Sequence, residues 1–137
     1  MNVTSIGNAA LGEVLAEARR TCKEKGIDLT VIADGESVGF LEPPEIKTLM
    51  EAVTGQAVAW VARLEEGKRL IHLDIRRYRD FLMIQQEHYA RDRDLVSGVI
   101  PEAVFQITEK YGGHASVGTR DGWFSFRILI PIPKTAE

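Results

Sequence analysis

Ile46, Leu49, Met50, Val53, Ala57, Trp60, Val61 and Leu64 recur at intervals of three and four residues and hold one apolar stripe for about five helical turns. Directly after it, Leu70 to Arg77 changes period, with Ile71, Leu73 and Ile75 alternating as a half-buried strand does. A long one-sided helix feeding straight into a strand needs a sheet to lie on. That excludes a helical bundle and an all-β sandwich together and leaves an α/β layer architecture.

The rest of the chain fits that frame. Pro43-Pro44-Glu45 opens the long helix, because proline suits a first turn and an acid there favours the macrodipole; the helix is expected over 43–66, ended by Gly67. Upstream, Asn8 to Lys25 is a helix with Leu11, Val14, Leu15, Ala18 and Cys22 on one face, Gly26 its stop, and Ile27 to Ala33 a strand. Asp34 to Leu41 reads as a loop. After the turn at Tyr78-Arg79-Asp80 a second strand runs from Phe81 to Glu87, followed by a polar stretch, Ala90 to Asp94. A third helix spans 101–111 and is stopped by Gly112-Gly113. Two last strands, His114 to Thr119 and Trp123 to Ile132, meet at Asp121-Gly122, a hairpin dipeptide. The order α-β-α-β-β-α-β-β predicts a two-layer α/β sandwich: one mixed sheet with three helices on a single face.

The 137 residues suit one domain, 1–137, large enough to close a core without disulfide or metal. A net charge of −3 offers no general attraction for nucleic acid or an anionic membrane surface. No apolar run approaches the roughly 20 residues of a membrane span. One cysteine, Cys22, cannot make an internal disulfide and suits a reducing cytoplasm.

Six short segments carry a resemblance. Gly7-Asn8-Ala9-Ala10-Leu11, Glu24-Lys25-Gly26-Ile27 and Phe40-Leu41-Glu42-Pro43 stand at the start. Glu109-Lys110-Tyr111-Gly112-Gly113, Asp121-Gly122-Trp123-Phe124 and Ile128-Leu129-Ile130-Pro131 stand at the end. Together they resemble the GHKL ATPase domain, or Bergerat fold, of the peptide-sensing, quorum-type sensor histidine kinases, over about residues 7 to 133. The resemblance implies the same sandwich, with Mg·ATP held between the long helix and the third.

The residues at the positions that would hold the nucleotide depart from that pattern. The family's long helix carries two asparagines four residues apart, whose amides keep the hydrated Mg²⁺; here those places fall to Ala52, with no oxygen, and Gln56, one methylene too long. Glu51 is about 100° out of register. Glu51 and Gln56 then read as solvated helix polars. The adenine-reading place falls to His88, where a neutral imidazole could accept one bond but a surface or hairpin-end histidine is the simpler reading; Glu87 points to the opposite face by alternation. The glycine loop before the third helix falls to Gly98-Val99-Ile100-Pro101-Glu102. Ile100 there replaces a glycine, Pro101 removes a donor and Glu102 adds negative charge. Nine residues separate His88 from Gly98, a short lid.

Other constellations are structural on their simplest reading. His72, His88 and His114 lack metal-ligand spacing, so no metal site is expected. Cys22 reads as a core thiol and Trp60 as core, with Trp123 half exposed. Arg76, Arg77, Arg79, Arg91 and Arg93 are interleaved with Asp80, Asp92 and Asp94, as on a solvated hairpin rim.

The resemblance with these departures implies a signalling or docking module with a degenerate site, no catalytic residue, no cofactor, and a protein partner such as a histidine kinase or signalling domain. The other reading is an active domain that binds Mg·ATP and passes the γ-phosphate to a histidine elsewhere. In the degenerate case Val53, Val96, Val99 and Ile100 would fold into the cleft, with Leu95 to Ile100 acting as a plug and Gln56 and His88 bonding locally or facing a narrowed cavity.

Overall fold

A computed structural model describes residues 7–90 and 100–134. The elements are α1 (Ala9–Glu24), β1 (Asp28–Ala33), α2 (Pro43–Val61), β2 (Leu70–Tyr78), β3 (Phe81–Tyr89), α3 (Glu102–Tyr111), β4 (His114–Arg120) and β5 (Trp123–Pro131), in the expected order. The sheet runs β1-β2-β3-β5-β4. β1 and β2 are parallel, as a strand–helix–strand crossover through α2 requires, and the other pairs are antiparallel.

Alternation puts one set of side chains under the helices. Leu73, Ile75, Leu82, Ile84, Phe124, Phe126, Ile128 and Ile130 meet Leu11, Leu15, Leu49, Met50, Val53 and Val104 in one core. Each such side chain contributes roughly 1.5–3 kcal/mol by leaving water. Cys22, Ile27, Ala57, Val58, Val61, Leu64 and Ile71 close a smaller cluster at the far end of α1 and α2. Cys22 is therefore core, and burial pushes its thiol pKa up. The opposite sheet face carries no helix among the described residues, and Ile32 and Tyr78 are exposed.

The helix ends follow local chemistry. Asn8 caps α1 by accepting from the Leu11 N–H at 3.0 Å. Glu42 and Glu45 form a reciprocal capping box at α2. α2 stops five residues short of the expected 66, at Val61. The chain tightens into i→i−3 bonds at Arg63 and Leu64, and the Arg69 Nε–H donates to the Leu64 carbonyl at 2.7 Å. That bond satisfies a carbonyl that lies past the helix end, Leu64 itself is buried, and Gly67 sits in a later 3₁₀ turn. The segment 34–41 also holds a 3₁₀ turn, Gly35–Val38, which buries Val38 and Leu41 in the core.

The Tyr-Gly-Gly segment has a physical account at every residue. The Tyr111 hydroxyl donates to Glu45 Oε1 at 2.6 Å, tying α3 to the first turn of α2. Gly112 ends α3 in the left-handed region, φ +76°. A Cβ on Gly113 would collide with the Leu129 carbonyl and the Ile130 backbone, so only glycine fits there. The β4–β5 hairpin turns on Asp121 (φ +51°) and Gly122 (φ +82°), both positive as a type I′ turn demands.

Candidate functional site

The expected site residues lie where α2 crosses β3. Ala52, Gln56 and Trp60 follow one another at four-residue steps on one side of α2. Trp60 sets its ring edge against His88 (centroids 5.8 Å apart) and against Phe124 (5.0 Å). His88 in turn stacks on Phe124, 5.1 Å away and 30° from parallel. His88 is 0% exposed, which corrects its reading as a surface or hairpin-end histidine. β3 runs two residues past the expected end, to Tyr89, and alternation along Leu82, Ile84, Gln86 and His88 carries the imidazole inward.

Burial keeps this imidazole neutral. Desolvation pushes the His88 pKa below its ordinary value, with the bond to the Tyr89 carbonyl pulling the other way. That carbonyl lies 2.6 Å from Nδ1 and can only accept, so Nδ1 carries the proton and Nε2 is left as a bare acceptor. Among the described residues Nε2 is buried without a partner, as are Gln86 Nε2 and Gln56 Oε1. Gln56 is half-buried, which corrects its reading as a solvated polar, whereas Glu51 is exposed. Gln86 is 1% exposed on the same strand face as His88. Its role was open to the alternation rule, since it stands two residues before His88.

Ile100 is partly buried and packs on the main core, and Val53 is fully buried beneath. Pro101 is the N-cap of α3 and makes no side-chain cap; Glu102 lies in the first turn. Gly98, Val96, Val99 and the rest of the expected plug up to Ile100 fall outside the described residues, as do Arg91 and Arg93. Glu87 faces the open side of the sheet, as alternation requires.

Away from this site, Arg76 pairs with Asp74 (3.3 Å) and Arg77 with Asp80 (3.5 Å) on an exposed hairpin rim. Trp123 is half-buried, stacked on Tyr89 at 4.2 Å. Among the described residues no group of His, Cys, Asp and Glu is placed to hold a metal ion, and no helix is long and apolar enough to cross a membrane.

The sequence matches no family model and no curated protein. The fold, by contrast, is that of histidine kinase catalytic domains. The chain superposes on the catalytic domain of histidine kinase ThkA with a TM-score of 0.65 at 13% identity, over 96% of this chain and 92% of that one. It is also similar to the histidine kinase AdeS of Acinetobacter baumannii, with a TM-score of 0.63 at 12% identity over 92% of this chain and 64% of that one. For the histidine kinase domain of the E. coli osmosensor EnvZ the TM-score is 0.57 at 22% identity, over 95% and 88%.

Proposed function

We propose that this chain is a histidine-kinase-type ATPase domain whose nucleotide site is degenerate, acting in cytoplasmic signalling as a regulatory or docking module for a protein partner. The observation that carries this reading is the burial of His88. A group that reads a base has to be reachable by the base, and this ring is enclosed by Trp60 and Phe124. The residues do not fit Mg·ATP at three further points. Ala52 offers no metal ligand, Pro101 gives α3 no N–H at its cap, and Glu102 puts a carboxylate where phosphate charge would have to approach. Ile100 packs on the core instead of leaving a glycine's space.

Thermal unfolding with and without millimolar Mg·ATP tests the proposal. No change in midpoint is expected. A ligand at a hundred times its Kd would add about 2.7 kcal/mol, and a shift of that kind overturns the degenerate-site reading.

One observation favours the alternative, an active domain that binds Mg·ATP and passes its γ-phosphate to a histidine on another domain. Three buried polar atoms, on Gln56, Gln86 and His88, have no partner among the described residues. Leaving such groups unpaired costs about 1–3 kcal/mol each. A ligand reaching them would recover that cost, and the same unfolding experiment would show it.

A further inference from the structure

The outer side of the α1–α2 pair holds a groove of about 810 Å³. Leu11 and Leu15 share the main core with Ile46 and Leu49, and Cys22 shares the smaller cluster with Ala57, Val58 and Val61, so the two helices run side by side in the same direction. Val14, Ala18, Thr54, Gly55, Val58 and Ala59 form the apolar part of the groove. Thr54 adds no unmet donor, because its hydroxyl donates to the Met50 carbonyl at 2.7 Å. Gly55 is in the body of α2, where glycine weakens a helix relative to alanine. Nothing lies within 4 Å of where its Cβ would stand, so packing within this chain gives no reason for it.

The rim is charged in an ordered way. Glu13, Glu17 and Glu51, against the single Lys47, line the end nearest the helix starts; Arg20 and Lys25 line the other end with no carboxylate beyond Glu17, which reaches Arg20 at 3.9 Å. All six of these rim residues stand exposed. We infer that this groove docks an amphipathic helix of a partner protein, its small apolar face on Gly55 and Ala59, its acidic end over Arg20 and Lys25, and its basic end over Glu13, Glu17 and Glu51. A helix with acids in its first turns and bases in its last is also the one its own macrodipole favours. The partner helix therefore runs antiparallel to α1 and α2. This inference names a surface for the docking module proposed above, yet it is independent of the nucleotide site: the Mg·ATP experiment bears on that reading alone, and a peptide experiment on this one.

The probe is a capped synthetic helix of about 18 residues, long enough to hold its turns, with an Ala/Leu face, Glu in its first half and Lys in its second. A second peptide carries the same residues with the charged halves exchanged. Titration into the labelled full chain should show the first binding at least about tenfold more tightly at low salt, from several rim pairs acting together. Amide shifts should fall on α1 and α2. Gly55→Leu, whose Cβ has nothing within 4 Å among the described residues, should keep the fold with a thermal midpoint no lower than wild type and lose the binding; Ala59→Arg should keep the fold and lose the binding too. The triple exchange Glu13→Lys, Glu17→Lys and Glu51→Lys should remove the preference for the first peptide. Equal binding of both peptides, indifference to Gly55→Leu with the fold intact, or shifts elsewhere would overturn the inference. So would self-association of the chain that Gly55→Leu abolishes, since the occupant would then be a second copy.

Discussion

The α3 end of the molecule and the α2–β3 crossing treat their polar groups in opposite ways. At the α3 end Glu45 accepts from the Tyr111 hydroxyl (2.6 Å), the Lys110 ammonium (2.7 Å) and the Glu42 N–H (2.8 Å). The buried Thr108 hydroxyl donates to the Phe105 carbonyl at 3.1 Å. At the crossing, Gln56, Gln86 and His88 each bury a polar atom with no partner among the described residues. The first region is complete as a piece of protein structure. The second holds polar groups that the packing of the described residues leaves unsatisfied. Tyr111, Gly112 and Gly113 thus have mechanical roles that need no ligand, and their presence says nothing about activity.

The strongest test of the complete region is Gly113→Ala. Its Cβ has backbone, not a flexible side chain, in its way, so unfolding by denaturant should show a loss of about 3 kcal/mol, the upper range for overpacking. A loss below about 1 kcal/mol would mean that β5 gives way easily and that the frame is looser than its contacts imply.

Glu45→Gln comes next, at about 1–2 kcal/mol at neutral pH, since one acceptor serves three donors. The effect has a defined pH course. Burial alone would raise the Glu45 pKa, but hydrogen bonds from Lys110, Tyr111 and the Glu42 backbone outweigh it and the pKa is lowered. A depressed carboxylate contributes stability that is present above its unfolded pKa, about 4.3, and lost as pH falls through the lower folded value. The difference between wild type and Glu45→Gln should therefore shrink on acidification below about pH 4. A difference constant down to that region would show that charge plays no part in the latch.

At the crossing the sign should reverse. Gln86→Leu removes an unpartnered amide from a site 1% exposed, and should raise stability by about 1 kcal/mol. A destabilised variant would show that Gln86 has found a partner, and the contrast between the two regions would fail there.

The smallest effect belongs to His88. Its pKa is lowered by burial, so the folded state refuses a proton that the unfolded chain accepts near pH 6.5. Stability from this group is complete above that pH and is lost as pH falls from about 6.5 toward the lower folded value, by less than about 1 kcal/mol at pH 6. His88→Phe should flatten that part of the stability profile relative to wild type. An unchanged profile would place the imidazole in contact with water.

Much of the architecture was legible from local rules. The five-turn stripe, the alternation of β2 and the Asp121-Gly122 hairpin each depend on residues a few places apart, and short-range geometry settles them. Helix ends were less legible: α2 stops at Val61, where the chain passes into i→i−3 bonds at Arg63 and Leu64, and Arg69, five residues beyond Leu64, takes the Leu64 carbonyl. The residues of the candidate site could be named from the resemblance, but not their surroundings. Alternation extended from Leu82 already turns His88 inward; that Trp60 and Phe124 would enclose it, and that Glu45 would meet Tyr111 across 66 positions, depended on how α2 and α3 settle on the sheet. Periodicity is a property of a segment and survives in the sequence, whereas burial and hydrogen-bond partnership belong to surfaces that meet only when the whole chain packs.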